Sequence, residues 1–398
     1  MIAGGSELQV RVRVDQPYRL TRIRNVVGTL RGTDFPDEWI VLGCHYDAWT
    51  FGAVDPCCGT ATLLGLAEAL GAAAAKGYRP RRSILIAHWD CEEHGIIGST
   101  EWVEQFRTLL GSNGVAYINA DAAASGPRFG ASASPSLKKP IIDATRSVLH
   151  PGTQSTLFDL WMGRTPAATS PPIGNLGGGS DHVAFYTLVG VPSGSMSLSG
   201  NSPIYHSAYD SFAWYESFGD PTFEFGPTVT RLQAVLATRL ANADVLPYDV
   251  TRYAVDLERH VASLEKRAKE LGRESRFPAL REALGPLAKA ASDFERARDG
   301  WLAKGAPAAA DVRSVNTDLI GLEKAFISPG GLQSRPWSRS LYASPDPFSG
   351  YASWMLPGLR YELEAVSDPE LARWERTYVR AIEDLTRRIA ALARRMKP

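Results

Sequence analysis

Residues 41–59 read VLGCHYDAWTFGAVDPCCG, a short apolar run that ends at His45 and is followed, ten residues later, by Asp55. The run is typical of a strand, and α/β enzymes place their ligands in the loops that follow strands. Imidazole and carboxylate groups are the ligands that a catalytic zinc uses. About half of such pairs are a surface histidine beside a solvated carboxylate, because histidine is often only partly buried. The stretch therefore indicates a metal site only if other parts of the chain supply further ligands.

The composition is that of an ordinary globular protein. The 398 residues are 44% hydrophobic and 22% charged, enough for two or three domains. Lys+Arg and Asp+Glu number 43 each, so the net charge gives no indication of a nucleic-acid or anionic-membrane partner. No run approaches 18 apolar residues, so we expect no transmembrane segment. The start, MIAGGSELQVRV, is unlike a signal peptide and begins inside a strand-like pattern, which indicates a shortened chain.

The four cysteines lie in the first quarter of the chain, at Cys44, Cys57, Cys58 and Cys91. Their spacing lacks the C-x₂-C pair of a zinc knuckle. We expect small, mostly buried thiols, since free cysteine packs like a small hydrophobic residue. A disulfide remains the alternative.

Strand-like and helix-like patterns alternate over the first half of the chain. Strand patterns cover 8–14, 21–31, 38–44, 81–89 and 114–121, and helix patterns cover 59–77, 99–110 and 136–149. This order predicts an α/β fold with a largely parallel, helix-flanked sheet. In such sheets ligands bind beyond the carboxyl ends of the strands. The residues that fall at such ends are His45, Glu92, Glu93 and Asp121.

The segment GNLGGGSDH, residues 174–182, has the glycine content of a phosphate-binding loop. It lacks the G-K-[ST] ending and follows no clear strand, which argues against that interpretation. We expect a flexible wall of a cleft instead.

The residue pattern of the chain becomes helical after about residue 219. The range 220–245 reads as helix, and apolar residues then recur at steps of three and four in two later segments. The first stripe is Tyr253, Leu257, Val261, Leu264, Ala268 and Leu271; the second is Leu371, Trp374, Tyr378, Ile382, Leu385, Ile389, Leu392 and Met396. Between them, residues 328–358 form a Pro/Gly/Ser-rich loop that is long enough to be functional. We place a domain boundary near residue 246.

Five potential metal ligands stand in chain order: His45, Asp55, Glu93, Asp121 and His206. Two-metal hydrolase sites hold their ions about 3.5–4 Å apart and need one carboxylate to bridge them. Asp55 suits that role, because Pro56 biases it away from helical geometry. A mixture of histidine and carboxylate fits Zn²⁺ better than Mg²⁺ or Ca²⁺.

Glu92 and Glu93 are adjacent, and in a loop both can face one cavity. One carboxylate can then bind the metal while the other acts as general base on an activated water. The alternative is a solvated acidic turn before a helix, where the carboxylates interact favourably with the helix dipole.

With these residues in place, the chain resembles the glutamate carboxypeptidase II (prostate-specific membrane antigen) and transferrin receptor branch of the zinc exopeptidases. The resemblance runs from about residue 20 to the C-terminus. The segments that carry it are NVVGTLRG, HYDAWTFGAVDP, RRSILIAHWDCEEHGIIGSTEW, VAYINAD, SPIYHSAYDS and LEKAFISPGGLQSRP.

The resemblance implies two zinc ions and a role for each site residue. One ion would be held by His45, Asp55 and Asp121, and the other by Asp55, Glu93 and His206, with Asp55 as the bridge. Glu92 would be the general base. Asp47 would orient His45, as ligating imidazoles usually require, and Tyr205 would donate a hydrogen bond to the oxyanion. Glu101 and Glu104 match positions that help to hold a structural calcium, with an acidic helix face as the alternative.

The chain departs from the family pattern around the substrate. By this resemblance, the chain would begin near the end of the family's apical protease-associated domain, and an arginine for the substrate carboxylate would be absent. Its arginine patch falls on Ser195 and Ser197, and a neighbouring asparagine falls on Ser180. A lysine that reads a glutamate side chain is replaced by Gly350, although Tyr351 remains. Without bidentate carboxylate recognition, we do not expect strict glutamate specificity.

The resemblance divides the chain into a remnant of the upstream region (1–20), a zinc peptidase domain (21–245) and an all-α dimerisation domain (246–398). It implies a peptide substrate, carboxypeptidase-like cleavage of a terminal bond and a homodimer. An aminopeptidase of the same fold and a non-catalytic receptor-like binding protein are the alternatives. An extracytoplasmic location is suggested by the relatives alone.

Overall fold

The computed structural model describes residues 9–17, 19–273, 275–305, 308–367 and 369–396. The strand predicted over 8–14 begins outside these residues, and 9–14 are exposed and form no strand. Nine of the twenty residues of the predicted N-terminal remnant, 1–8 and 18, also lie outside them. The rest of the remnant, 9–17 and 19–20, forms no regular secondary structure.

A six-stranded mixed sheet forms the centre of the first half. Its strands are β1 (Val26–Leu30), β2 (Phe35–His45), β3 (Arg82–Trp89), β4 (Gly114–Asn119), β5 (Arg128–Ala133) and β6 (Ser193–Ser199). They lie in the order β1-β3-β2-β4-β6-β5. The four inner strands are parallel, while β1 and β5 pair antiparallel at the two edges. The prediction of a mostly parallel sheet is confirmed.

The register of the inner strands brings their carboxyl ends together. His45 pairs with Trp89 at the end of β3, and Gly43 pairs with Asn119 at the end of β4. These strands are buried on both faces, which explains why they read as continuous apolar runs rather than as alternating ones. The loops that follow β2, β3 and β4 therefore start at one edge of the sheet.

Helices cover both faces of the sheet. They are α1 (Gly59–Ala75), α2 (Ile97–Gln105), α3 (Arg107–Asn113), α4 (Pro135–Thr145), α5 (Leu157–Gly163), the single turn α6 (Phe212–Trp214) and α7 (Phe225–Asn242). The single helix predicted over 99–110 is two helices, because the backbone leaves helical geometry at Phe106. Strand β5 and strand β6 were not predicted, since both are rich in serine, glycine and alanine.

One helical segment among the described residues, Ala53–Ala75, is long and apolar enough by length and composition to cross a membrane. The sequence-based expectation of no transmembrane segment stays a prediction. Leu63, Leu66 and Leu70 of this segment are buried in the core, where α1 packs against β2 and α7. We assign it as a core helix of the α/β half.

The second half is helical, with α8 (Arg252–Glu270), α9 (Pro278–Ala303), α10 (Ala309–Ile320), α11 (Pro357–Ala365) and α12 (Leu371–Arg395). The two predicted stripes are buried, except that Leu371 is half-buried and Leu271, past the end of α8, is exposed. The 328–358 segment contains a small hairpin of β7 (Ala343–Pro345) and β8 (Ser353–Met355).

Both halves share one hydrophobic core, which includes Leu232 on α7, Leu257 on α8 and Leu385 on α12. A buried ion pair also crosses the predicted boundary at residue 246: Lys138 on α4 lies 2.7 Å from Asp256 on α8. The helical half is therefore packed tightly on the α/β half, and the division at residue 246 stays a prediction.

Candidate metal centre and active site

The five predicted ligands meet at the carboxyl edge of the sheet. His45 ends β2, Glu93 and Asp121 follow β3 and β4, and Asp55 and His206 lie in loops after β2 and β6. His45 Nε2 lies 3.2 Å from Asp55 Oδ1 and 3.3 Å from Asp121 Oδ1. His206 Nε2 lies 3.1 Å from Asp55 Oδ2 and 3.2 Å from Glu93 Oε2. The result is two three-residue clusters that share Asp55, each with its potential ligand atoms within 4.8 Å of one another.

The chemistry of these clusters fits a bound divalent cation. Asp55 Oδ1 and Glu93 Oε1 are buried and accept no hydrogen bond from the described residues. Burial, followed by the negative charge of Asp55, raises the pKa of Glu93. Burial alone lowers the pKa of His45, but the neighbouring carboxylates of Asp121, Asp47 and Asp55 raise it far above its ordinary value. A set of crowded carboxylates with orphaned oxygens is what a cation neutralises.

Asp210 fixes the loop that carries Asp55. Its carboxylate accepts hydrogen bonds from the backbone N–H of Val54 at 2.8 Å and of Asp55 at 3.0 Å. Asp55 itself is extended, with φ −114° and ψ 99°, as the following Pro56 predicts. Sequence reasoning missed Asp210, which stands in the segment SPIYHSAYDS but lies 155 residues from the backbone it holds.

Asp47 contacts His45 mainly through its main chain. The His45 Nδ1–H donates to the Asp47 carbonyl oxygen at 2.9 Å, while the Asp47 carboxylate is 3.6 Å away. That carboxylate instead accepts hydrogen bonds from the backbone N–H groups of Glu92 at 2.9 Å and Glu93 at 3.2 Å. One residue therefore orients a histidine and also fixes the pair of glutamates.

Ser180 lies behind Asp121 and does not line the metal cavity. Its hydroxyl donates to Asp121 Oδ2 at 2.8 Å and accepts from Asn119 Nδ2 at 2.8 Å. Asn119 in turn accepts from the hydroxyl of Tyr117 at 3.1 Å, and Tyr117 accepts from Trp89 Nε1 at 3.0 Å. This buried chain of hydrogen bonds supports Asp121, so the structure does not bring Ser180 to the substrate position that the resemblance implies.

Ser195 and Ser197 also lie outside the metal cavity. Both line a cavity of about 660 Å³ along β5 and β6, which Arg128 and Arg164 share. Ser197 additionally lines a smaller cavity of about 400 Å³ that reaches Asp55. Ser197 is therefore a neighbour of the metal centre, and neither serine lines its main opening.

The remaining predicted residues surround the metal clusters. A cavity of about 630 Å³ is lined by members of both clusters together with Trp49, Glu92, Tyr205 and Tyr351. The hydroxyls of Tyr205 and Tyr351 lie 3.3 Å apart, and the Tyr205 ring stacks on His206 at 3.7 Å. Burial raises the pKa of Glu92 to about 9, a shift that the positive charge of bound cations would oppose. Glu92 thus faces the cavity beside the clusters without belonging to either of them.

Glu101 and Glu104 lie on the exposed side of α2. The Glu104 carboxylate accepts a hydrogen bond from Trp337 Nε1 at 2.5 Å. Within the described part of the chain, neither residue belongs to a group of three potential ligands.

All four cysteines are free thiols, as expected. Cys44 and Cys58 are buried, Cys91 is half-buried and Cys57 is exposed. Burial raises the pKa of Cys58 and of Cys44, which keeps both thiols protonated.

Residues 25–217 match the model of peptidase family M28, and residues 275–397 match the transferrin receptor-like dimerisation domain. The chain is 39% identical over 341 residues to the probable glutamate carboxypeptidase LAMP1 of Arabidopsis thaliana, covering 85% of this chain and 49% of the relative. It is 35% identical over 376 residues to the aminopeptidase NAALADL1 of Mus musculus, covering 88% and 50%. It is 30% identical over 377 residues to the glutamate carboxypeptidase 2 homolog of Caenorhabditis elegans, covering 88% and 49%.

The chain spans about half the length of these curated relatives. The first matched region lies in the α/β half of the fold, and the second lies in the helical half. The order of the two regions and the names of the relatives agree with the resemblance that the motifs indicate. The chain therefore belongs to peptidase family M28, in its glutamate carboxypeptidase II and transferrin receptor-like branch.

Proposed function

We propose that this chain contains the catalytic part of a dinuclear zinc exopeptidase that hydrolyses a terminal peptide bond. The observation that carries the proposal is the position of Asp55, whose two carboxylate oxygens face His45 and His206 in two different clusters. Membership of family M28 and relatives named as carboxypeptidases and aminopeptidases support it.

In this proposal His45, Asp55 and Asp121 hold one zinc ion, and Asp55, Glu93 and His206 hold the other. The bound ions would polarise the substrate carbonyl and lower the pKa of a water molecule to about 7. Mixed imidazole and carboxylate donors favour zinc over magnesium or calcium. The orphaned oxygens of Asp55 and Glu93 support occupancy of both clusters.

The side chains around the clusters divide the remaining chemistry. Glu92 accepts the proton of the attacking water and later donates it to the leaving amine. Tyr205, at the cavity wall, donates a hydrogen bond to the oxyanion that forms at the substrate carbonyl. The Asp47 carboxylate holds Glu92 by accepting a hydrogen bond from the backbone N–H of Glu92. The Asp47 carbonyl oxygen keeps His45 in the tautomer that leaves Nε2 free for a metal.

We further propose carboxypeptidase-like cleavage, without strict glutamate specificity. The relatives from plant and worm are named as glutamate carboxypeptidases, which supports the direction of cleavage. The cavity offers the hydroxyl of Tyr351 to a substrate carboxylate, while Tyr205 donates to the oxyanion. Among its described lining residues there is no arginine or lysine, so a bidentate clamp for a glutamate side chain is not part of the proposal.

An aminopeptidase is the second candidate, because the mouse relative carries that name. The test compares N-acetylated dipeptides with the same dipeptides bearing a free amine, using zinc-loaded protein with and without EDTA. We expect hydrolysis of both forms, loss of activity with EDTA and recovery with zinc. Hydrolysis of the free-amine form alone would favour the aminopeptidase. A zinc-loaded protein that cleaves neither form would favour a receptor-like binding protein.

The match of residues 275–397 to a dimerisation domain leads us to propose a homodimer formed through the helical half. The structural calcium predicted at Glu101 and Glu104 gains no support from the geometry, because Glu104 is engaged by Trp337 and the described residues supply no third aspartate, glutamate, histidine or cysteine ligand.

A further inference from the structure

A turn from the helical half reaches the metal cavity. Residues Ser349, Gly350 and Tyr351 line it, although the metal clusters come from the α/β half. The Tyr351 side chain is 55% exposed, and its hydroxyl lies 3.3 Å from that of Tyr205. The position of Tyr351 at the cavity therefore depends on how the turn around it is held.

Asp346 holds this turn from within. It is 6% exposed, and its Oδ1 accepts the backbone N–H of Phe348 at 2.9 Å and of Ser349 at 2.6 Å. Its Oδ2 accepts the backbone N–H of Ala352 at 2.9 Å and the Ser349 hydroxyl at 2.5 Å. Burial alone would raise the pKa of Asp346, but these hydrogen bonds hold it well below its ordinary value. The carboxylate is therefore ionised and closes the turn on both sides of Tyr351.

The turn rests on the glycine run Gly177–Gly179 of the α/β half. Gly178 N–H donates to the Tyr351 carbonyl oxygen at 3.2 Å. A Cβ on Gly178 would lie 1.8 Å from the Gly350 carbonyl oxygen, and a Cβ on Gly179 would lie 2.7 Å from the Tyr351 ring. Any larger residue would push the turn away. The sequence predicts a flexible wall here, whereas the structure has a close backbone contact between the two halves.

We propose that Asp346 is a positioning residue for substrate binding: through the turn that it closes on Gly177–Gly179, it holds Tyr351 at the metal cavity. The helical half thereby supplies one wall of the peptidase site. The inference rests on the proposed function for its kinetic consequence, while the contacts themselves are independent of it. Asp346 touches no reacting atom in this arrangement and acts through Tyr351.

The first test measures amide hydrogen exchange in the full zinc-loaded chain, comparing wild type with Asp346→Asn. The amides of Phe348, Ser349 and Ala352 should exchange about tenfold faster or more in the variant, because the charge-assisted acceptor is lost. Unchanged exchange would overturn the role of Asp346, whether or not the protein cleaves peptides.

A matched control is Asp220→Asn. Asp220 is also buried, and its carboxylate accepts the backbone N–H groups of Glu224, Phe225 and Gly226, but it lines a different cavity. This variant should leave exchange around Tyr351 unchanged. Faster exchange there in both variants would mean a general loss of structure and would count against a specific role.

The second test is kinetic and uses the dipeptide that the wild type cleaves. Asp346→Asn and Tyr351→Ala should each raise KM about tenfold and change kcat by about twofold or less. The double variant should be no worse than either single variant, because both remove the same contact. Gly178→Ala should raise KM in the same way, and Asp220→Asn should not. A lower kcat at unchanged KM, or additive effects, would overturn the proposal.

The two failures can be told apart. A wild type that cleaves no peptide with zinc present contradicts the proposed function, and the exchange measurement then decides the role of Asp346 alone. If the wild type is active and Asp346→Asn leaves KM unchanged, the inference is contradicted and the proposed function stands.

Discussion

Asp55 presents one carboxylate oxygen to His45 and the other to His206, within 3.2 Å and 3.1 Å respectively. A carboxylate placed in this way can hold two cations about 3.5–4 Å apart. Around it stand residues that bind no metal but fix those that do: Asp210 holds the Asp55 backbone, Ser180 holds Asp121, and Asp47 holds the Glu92–Glu93 pair. Such support keeps the ligand atoms in place in a centre of this kind.

The role of Glu92 can be tested by its isosteric amide. Glu92→Gln cannot accept a proton, so kcat should fall by a factor of about 10² to 10⁴. Zinc content, measured by elemental analysis, should stay the same because Glu92 belongs to neither cluster. The control Glu101→Gln, on the exposed side of α2, should keep full activity. An active Glu92→Gln enzyme would eliminate this residue as the base.

Asp210 should matter for metal affinity although it contacts no metal ligand side chain. In Asp210→Asn the amide group replaces one of two acceptors for the N–H groups of Val54 and Asp55. We expect zinc affinity, measured by competition with a chelator, to fall about 10- to 100-fold. Asp220→Asn serves as the control and should bind zinc normally. Equal affinity in the two variants would show that the Asp55 loop needs no such support.

The sequence could predict that His45, Glu93 and Asp121 lie near one another, because each stands at or just after the end of a strand, as in HYD at the end of β2 and EE after β3. The assignment of the five residues to two metal ions comes from the resemblance and stays a prediction. The sequence could not predict Asp210 or Ser180 in their observed places. Both act on partners far away in the chain, and Asp210 binds backbone groups that carry no residue signature. The assignment of Ser180 to substrate binding rested on a position in a motif, whereas its surroundings at Asn119 and Asp121 depend on the packing of β4.

At the scale of elements, continuous apolar strands and long amphipathic helices were predictable, and α8 and α12 agree well with their stripes. Strand β6, with the sequence SGSMSLS, gives no such signal, since it owes its pairing to β4 and β5 on either side. The loop at 174–182 was expected to be flexible because its composition is glycine-rich. Its glycines instead permit a close contact with a segment more than 170 residues later.

Helix α8 contains a histidine that should couple stability to pH. Burial lowers the pKa of His260 from 6.5 to about 4, and its Nε2 lies 3.3 Å from the Tyr342 hydroxyl. As the pH falls below about 6.5, His260 therefore binds a proton in the unfolded chain before it does so in the folded chain. The free energy of unfolding should decrease between about pH 6.5 and pH 4, with His260 contributing up to about 1.4 kcal/mol per pH unit.

Urea denaturation at several pH values measures this contribution. His260→Gln should flatten the decrease between about pH 6.5 and pH 4. A His260→Gln curve parallel to that of the wild type would contradict neutral burial of this side chain.

At the scale of the molecule, one core joins the sheet, α7, α8 and α12, and the Tyr351 turn connects the helical half to the metal cavity. Composition and the apolar stripes could predict two fold classes along the chain, α/β followed by all-α. They could not predict that the second half forms a wall of the metal cavity. That contact depends on the close approach of the Tyr351 turn to the backbone of Gly177–Gly179.

The helical half should also form the interface between two chains. Sedimentation at micromolar concentration should give a species of about 86 kDa, twice the chain mass of 43.2 kDa. Dilution is the control, because it should shift a reversible dimer toward the single chain. A clean 43.2 kDa species at micromolar concentration would count against the dimer.

The shared carboxylate of Asp55 is the centre of this account, and zinc anomalous scattering from a crystal of the zinc-loaded chain tests it most directly. Two anomalous peaks should appear about 3.5–4 Å apart, one bounded by His45 and Asp121, the other by Glu93 and His206, with Asp55 between them. A single peak, or peaks away from these residues, would contradict a dinuclear centre and the hydrolysis proposed for it.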